Sequence, residues 1–192
     1  MDNIILIGGG GHCRSVIDVI ELESKYNIFG IVDIEEKVGT VVSGYEVISS
    51  DDKLELLSKD VNFALVTIGH IYNNSARKNL FKKIRNLGFV VPTIISPRAY
   101  VSKSSSILEG TVVMHDVLIN SQVKVGRDCI INSKALLEHD VNIGDDCHIS
   151  TSATINGGVN IGDNCFIGSN VATKESIEIC SNSFIKAGST VR

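Results

Sequence analysis

From Val101 onward, one aliphatic residue recurs at every sixth position of the chain. The series runs to Val191, and of its sixteen positions only Thr173 is not aliphatic. The residue two before each member is usually small or β-branched, and the residue after it is often Gly or Asn. A six-residue period that keeps its phase over about ninety residues predicts a parallel β-helix. One aliphatic side chain per six residues fills the interior, and we expect the following Gly or Asn to relieve a tight corner.

The first half of the chain has a different pattern. Three short apolar runs predict strands, at residues 3–7, 28–32 and 63–68. Three other stretches predict helices, at residues 12–23, 51–57 and 75–87. Strands that alternate with helices predict a small Rossmann-like parallel sheet. Because the only prolines are Pro92 and Pro97, we expect an α/β domain over residues 1–96 and the β-helix over 97–192.

Composition narrows the possible partners. The net charge is −4 and no basic run occurs, so we expect no nucleic-acid partner. No apolar run approaches the roughly 18 residues of a membrane span, and residues 1–10 lack the basic start of a signal peptide. Five cysteines without a CxxC pair fit reduced thiols. The chain is therefore expected to be cytoplasmic.

Three of the cysteines, Cys129, Cys147 and Cys165, are spaced by eighteen residues. If one coil takes eighteen residues, these cysteines lie in one stack, where small buried side chains are favoured over a metal ladder. Zinc chemistry of the β-helix carbonic anhydrase kind needs converging histidines, and no His-x4-His pair occurs. We expect no metal.

The glycines Gly8 to Gly11 join the first predicted strand to the first predicted helix. Bare backbone at that point lets N–H groups approach a phosphate at the helix N-terminus. The dinucleotide fingerprint is incomplete, because Cys13 stands where its third glycine would be. Asp33 ends the next strand, where an acidic residue can meet a ribose or a base. The short α/β half favours one nucleotide over NAD, and a plain tight turn is the alternative.

Four motifs carry a family resemblance. They are IGGGGH at residues 7–12, IVD at 31–33, TIG at 67–69 and INSKALLEHDVNIG at 131–144. With the hexads, the chain resembles the NeuD/PglD-type sugar acyltransferases of the left-handed β-helix superfamily. The resemblance implies a homotrimer of left-handed β-helices that uses acetyl-CoA or another acyl-CoA as donor, without a metal. Its acceptor would be a nucleotide-linked amino sugar or a sialic acid.

The resemblance also implies roles for individual residues. His139 would be the general base, oriented by Asp140 or Glu138. The residues expected to line the pocket for the nucleotide sugar are Gly10, Gly11, His12, Asp33, Gly69 and Arg77, with Asn132 contacting the sugar. The residues expected to bind the acyl-CoA are His148, near the thioester, and Gly157 and Ala187, through their backbone.

His139 also stands out by its position. It lies two residues after the interior residue Leu137, so its side chain is expected to face outward. Acyl transfer needs a base with a near-neutral pKa, although a solvated surface histidine is the plain alternative. Neighbours in a strand point to opposite faces, so both acids remain candidates for orienting the ring. His148 follows nine residues later, which is half of an eighteen-residue coil. The two histidines of one subunit cannot then share a site, and we expect each site to lie between two subunits.

The sequence and the resemblance leave three candidate functions. The first is N-acetylation of a UDP-linked 4-amino-4,6-dideoxy sugar for surface glycans of the legionaminic acid or bacillosamine type. The second is O-acetylation of a sialic acid, and the third is a nucleotide-sugar-binding scaffold without activity. His12 favours the first, because the amino-sugar enzymes resemble this chain at Gly-His. His139 argues against the third.

Overall fold

The computed structural model describes residues 1–192 and contains two compact units, Met1–Pro92 and Thr93–Arg192. The boundary lies at residues 92/93 rather than 96/97. The reason is that Ile94–Ile95 forms a strand that pairs in parallel with Val112–Val113, so this segment is already part of the β-helix.

The first unit is a five-stranded α/β sheet. Its elements are β1 (Asp2–Ile7), α1 (Gly11–Glu23), β2 (Tyr26–Asp33), β3 (Val41–Val42), β4 (Tyr45–Ser50), α2 (Leu54–Leu57), β5 (Phe63–Val66) and α3 (Ser75–Asn86). The strand order is β3-β4-β2-β1-β5, and all pairs are parallel except β3 with β4. The predicted strands and helices are present, whereas β3 and β4 were not predicted. None of the three helices is long and apolar enough to cross a bilayer.

The order of the strands explains where a ligand can enter. β1 lies between β2 and β5, so the chain leaves β1 toward one side and later returns to its other side. At such a switch point the connections diverge and open a crevice at the carboxyl ends of the strands. The glycine loop after β1, Asp33 at the end of β2 and the loop after β5 all meet this crevice.

The second unit is a left-handed parallel β-helix of short strands. They are β6 (Ile94–Ile95), β7 (Tyr100–Val101), β8 (Ser106–Ile107), β9 (Val112–Val113), β10 (Leu118–Ile119), β11 (Lys124–Val125), β12 (Ile130–Ile131), β13 (Leu136–Leu137), β14 (Asn142–Ile143), β15 (His148–Ile149), β16 (Thr154–Ile155), β17 (Asn160–Ile161), β18 (Phe166–Ile167), β19 (Ala172–Thr173), β20 (Glu178–Ile179), β21 (Phe184–Ile185) and β22 (Thr190–Val191). Each strand pairs with the strand eighteen residues later, and the stacks hold six, five and six strands.

We call these stacks the first face (β7 to β22), the second face (β8 to β20) and the third face (β6 to β21). The second residue of each strand points into the interior, and the predicted series from Val113 to Ile179 is buried. The exception, Thr173, is buried as well, and its Oγ1 accepts a hydrogen bond of 2.9 Å from the Asn156 backbone N–H. The hydrophobic effect of one buried aliphatic side chain per hexad therefore holds the coils together.

The glycines that follow the interior residues have a different role from the expected one. For the interior residues from Ile107 to Ile185, the left-handed backbone conformation falls three residues later, on Asp, Asn, Ser and other types as well as on glycine. Gly126, Gly144, Gly162 and Gly168 have no positive φ. A Cβ on Gly168 would lie 2.4 Å from the Ala187 nitrogen, and one on Gly162 would lie 2.6 Å from the Ser181 nitrogen. The close approach of the next coil, and not the corner, therefore requires these glycines.

The cysteine stack lies inside the β-helix. Cys129, Cys147 and Cys165 are buried and reduced, and the Cys147 thiol donates to the Gly162 carbonyl at 3.1 Å. Contact with the Cys129 thiol and burial raise the pKa of the Cys147 thiol. The three residues act as neutral interior side chains, as their spacing predicts.

Candidate active site

The crevice of the first unit is a cleft of about 370 Å³. Its lining residues are Gly8, Gly10, Gly11, His12, Asp33, Lys37, Thr67, Ile68 and Gly69. Five of the six residues predicted to line the nucleotide-sugar pocket are thus brought together here. Lys37 was not predicted, because nothing in the sequence distinguishes it from other exposed lysines.

The glycines of the loop differ in what they do. Gly8 has a φ of +101°, and a Cβ there would lie 2.3 Å from the Ile68 side chain, so the turn itself requires glycine. A Cβ on Gly10 or Gly11 would meet no atom within 4 Å. These two residues leave bare backbone facing open space where α1 begins, which is the geometry that accepts a phosphate.

Asp33 closes one side of the cleft. Its Oδ2 accepts hydrogen bonds from the Gly9 amide at 2.7 Å and from Lys37 Nζ at 2.9 Å, and its Oδ1 accepts from the Ile34 amide at 2.8 Å. Burial acts to raise the pKa of this carboxyl, but the hydrogen bonds from Lys37, Ile34 and Gly9 outweigh it and the pKa is lowered. The cleft therefore contains a fixed carboxylate beside an ammonium group, a pair that can contact a polar ligand through an acceptor and a donor.

Arg77 does not line the cleft, so this part of the prediction is wrong. Its side chain is buried, and its Nη1 donates to the carbonyls of Val66 at 2.9 Å and Ile68 at 2.8 Å. A guanidinium has five N–H donors and can satisfy several carbonyls at once. Arg77 therefore supports the loop after β5 from behind, and it acts on the cleft only through that loop.

His139 lies in the turn between β13 and β14, which we call the His139 corner. Asp140, with a φ of +60°, is the left-handed residue of this turn. The distance from His139 Nδ1 to Asp140 Oδ2 is 2.8 Å, and both side chains are 62% exposed. Glu138 accepts instead from Asn120 Nδ2, at 2.9 Å, in the preceding coil. Of the two acids that the sequence left open, Asp140 is thus the one that contacts the ring.

This contact has an electrostatic consequence. The hydrogen bond to Asp140 raises the pKa of His139 above its ordinary value. Desolvation of the ring acts in the opposite direction but is outweighed, and the charges of Asp140 and Glu138 also raise the pKa. With Nδ1 donating to the carboxylate, Nε2 of the neutral ring is left as a hydrogen-bond acceptor. The corner therefore holds an oriented imidazole whose pKa is raised by its contact with Asp140.

A second cluster forms around His148 on the third face. The imidazole is largely buried, and its Nε2 lies 3.2 Å from Nδ2 of Asn132. Its ring meets the edge of Phe166 at a centroid distance of 5.2 Å, and Phe166 stacks on Phe184 at 5.1 Å. The sequence analysis did not associate Asn132 with His148, nor did it note the two phenylalanines, although residues 148, 166 and 184 share the eighteen-residue spacing.

The two clusters lie on opposite sides of one coil. The His139 corner joins the first face to the second, and His148 belongs to the third face. In a three-sided coil, a corner is opposite the remaining face. Within one chain, His139 lies against Gly157 but does not share a site with His148 and Asn132. Ala187 is exposed at another corner, beside Gly168.

Comparison with known families identifies both units. Residues 3–84 match the family described as the PglD N-terminal domain. Residues 140–174 match the bacterial transferase hexapeptide repeat, and residues 158–192 match the hexapeptide repeat of succinyl-transferase.

Individual proteins are also similar to this chain. UDP-N-acetylbacillosamine N-acetyltransferase of Bacillus subtilis is 36% identical over an alignment of 121 positions that covers 59% of this chain and 52% of that protein. The chain thus spans about half the length of this curated relative. A crystal structure of a perosamine N-acetyltransferase variant from Caulobacter crescentus, in complex with CoA and GDP-perosamine, superposes with a TM-score of 0.93 at 30% identity, covering 100% of this chain and 89% of that chain. The acetyltransferase domain of PglB from Neisseria gonorrhoeae, in complex with acetyl coenzyme A, has a TM-score of 0.88 at 27% identity, covering 98% and 92%.

Proposed function

Because the chain belongs to the NeuD/PglD-type family of left-handed β-helix sugar acyltransferases, we propose that it transfers an acetyl group from acetyl-CoA to the amino group of a nucleotide-linked sugar. The observation that carries the proposal is the His139 corner, where an exposed imidazole is oriented by a carboxylate at 2.8 Å. The nucleotide amino-sugar N-acetyltransferases among the similar proteins support the same chemistry.

His139 acts as the general base in this proposal. As the acceptor amine attacks the thioester carbonyl, its N–C bond forms and its proton moves to His139 Nε2. The C–S bond then breaks, CoA leaves as the thiolate, and the imidazolium returns the proton to it or to water. Asp140 holds Nδ1 and stabilises the positive charge that the ring gains. Holding acetyl-CoA and the sugar amine next to each other accelerates the reaction, because positioning itself removes a large part of the activation barrier.

The cleft of the first unit is the proposed site for the nucleotide. Gly10 and Gly11 would donate backbone N–H groups to a phosphate, while Asp33 and Lys37 would contact the ribose or base. His12 and Gly69 line the same cleft and would lie near the ligand. We propose UDP as the nucleotide, as in the Bacillus subtilis relative, with GDP as the alternative because the Caulobacter crescentus structure contains GDP-perosamine.

The proposed active unit is a homotrimer. Because the His139 corner and the His148 cluster are on opposite sides of one coil, a site that uses both draws them from two chains. Three copies around a threefold axis can bring the corner of one chain against the third face of the next, in a heterologous contact that closes. In this arrangement Asn132, His148 and the backbone of Gly157 and Ala187 would hold the acetyl-CoA and the sugar amine.

A thiol-release assay with acetyl-CoA tests the function. The acceptors are a UDP-linked 4-amino-4,6-dideoxy sugar, GDP-perosamine and a free sialic acid. Release with an amino sugar supports N-acetylation, and the acceptor that reacts shows whether the enzyme uses a UDP-linked or a GDP-linked sugar. Release with sialic acid alone would replace the proposal by O-acetylation, and no release with any acceptor would favour a binding scaffold.

The dependence of rate on pH is expected to report His139. The base must be neutral, so kcat/KM should fall as the pH drops through the pKa of His139, which the Asp140 contact raises. Asp140→Asn keeps a residue that accepts the left-handed conformation but removes the charge. It should therefore move the acidic limb of the profile to lower pH and reduce kcat by roughly tenfold or more. An acidic limb that stays in place in Asp140→Asn would show that another group titrates.

Nucleotide binding is expected to depend on the open backbone of the glycine loop. Gly10→Val places a branched side chain where a Cβ meets no protein atom, so the fold should remain intact while the phosphate position is blocked. Isothermal titration should show saturable binding of UDP to the wild type and none to Gly10→Val. Ser15→Val, on the exposed side of the same helix and outside the cleft, is the control and should bind normally. If UDP does not bind the wild type, the nucleotide assignment is wrong.

A further inference from the structure

Gly157 occupies the place next to His139 in the stack of coils. It lies eighteen residues after His139, directly in the following coil, and its carbonyl accepts a hydrogen bond of 2.9 Å from the Ser176 backbone amide, as the His139 carbonyl does from Gly158. A Cβ built on Gly157 would lie 2.7 Å from Cε1, 2.8 Å from Nε2 and 3.3 Å from Nδ1 of His139. The imidazole therefore lies directly over the bare Cα of Gly157, in the space that any other residue would fill.

The nature of the close atoms sets Gly157 apart from the other tightly packed glycines of the β-helix. A Cβ on Gly126, Gly144, Gly162 or Gly168 would meet backbone atoms of the next coil within 2.8 Å. At Gly157 the three nearest atoms all belong to the His139 ring, which is the free end of an exposed side chain. Gly157 also has no positive φ, so its backbone suits alanine. A methyl group at this position would displace the ring and leave the coil in place.

We propose that Gly157 is a positioning residue for His139, because the missing side chain allows the imidazole to lie where Nδ1 meets Asp140. This role rests on the proposed function of His139 as the base, and it goes beyond any contact of the Gly157 backbone with acetyl-CoA. The titratable groups that face the ring are Asp140 and Glu138. Glu138 is held by Asn120, so a displaced ring loses Asp140 without gaining a second acid in the same geometry.

The expected result for Gly157→Ala is a loss of turnover with little loss of stability. Displacement of a catalytic group by about an ångström should lower kcat roughly tenfold to hundredfold, while KM for acetyl-CoA changes less than about threefold. The pKa of His139, followed by NMR of labelled histidine and assigned by its absence in His139→Ala, should fall toward the ordinary value as the Asp140 contact is lost. The thermal midpoint should stay close to that of the wild type.

Gly162→Ala is the matched control, because its Cβ would meet the backbone nitrogen and the hydroxyl of Ser181 and no atom of His139. It should lower the thermal midpoint and leave the pKa of His139 unchanged. The proposal is overturned if Gly157→Ala leaves both kcat and the pKa of His139 unchanged. It is also overturned if KM for acetyl-CoA rises while that pKa stays in place, since Gly157 would then act only on the donor. Full activity of His139→Ala would separately refute the role of His139 as the general base. The NMR measurement would still decide whether Gly157 positions the His139 ring.

Discussion

Replacing His139 with alanine is expected to lower kcat by roughly two to four orders of magnitude while the protein remains folded. The side chain is 62% exposed and lies outside the hydrophobic core, so its removal leaves no cavity. What is lost is the acceptor for the amine proton. KM values for both substrates should change little, because the imidazole makes its main contribution in the transition state. Steady-state kinetics with acetyl-CoA and the nucleotide amino sugar measure this effect.

His115→Ala is a suitable control for this experiment. His115 lies two residues after Val113, the same hexad position that His139 occupies after Leu137, but its Nδ1 bonds to the Ser96 hydroxyl at 2.7 Å instead of to a carboxylate. The control should retain turnover close to that of the wild type. Near wild-type kcat in folded His139→Ala protein would remove His139 from the mechanism and leave the acceptor amine to lose its proton to water.

Mixing two inactive variants should restore activity if the sites lie between subunits. Each site would need His139 from one chain and His148 from the next. His139→Ala and His148→Ala are therefore each expected to be inactive. In trimers reassembled from equal amounts, about a quarter of the sites should combine an intact His139 with an intact His148. Turnover should therefore recover to roughly a quarter of the wild-type value, which is a large gain over two nearly inactive proteins.

The exchange of subunits needs its own measurement. Differently tagged variants purified through both tags would show that mixed trimers exist. If such trimers form and remain inactive, the two histidines do not share a site, and His148 would act only as the partner of Asn132 within its own chain. Sedimentation of the wild type as a monomer at assay concentration would contradict the trimer directly.

The sequence predicted the β-helix in detail because its interior repeats. Each coil admits one aliphatic side chain per face, so the period appears directly in the order of residues. Within the α/β unit, the glycine loop and Asp33 were predictable for a similar reason, since a phosphate-binding turn needs bare backbone at the end of a strand. The hairpin of β3 and β4 was missed because β3 has only two residues and β4 contains only two adjacent aliphatic residues, Val47 and Ile48, between polar neighbours.

The direction of the Arg77 side chain could not be predicted from the sequence. An arginine near a predicted cleft suggests a phosphate contact, but helix α3 directs this one inward, to the carbonyls at the end of β5. The direction of a long side chain depends on the packing of its helix, which the local sequence does not specify. The same limit applies to Asn132, whose contact with His148 depends on the rotamers of both residues as well as on their stacking.

By itself, the sequence determined the repeat, the position of His139 on the outside of a coil and its half-coil separation from His148. Only the tertiary structure decided how the His139 corner is arranged. Asp140 and Glu138 flank His139 equally in sequence, and the left-handed backbone at Asp140 brings its carboxylate to Nδ1 while Asn120 of the preceding coil holds Glu138. Gly157 lies a full coil away along the chain, and it meets the imidazole because parallel pairing stacks residues eighteen apart. The ring's orientation therefore depends on contacts from two neighbouring coils, and such contacts exist only once the coils have stacked.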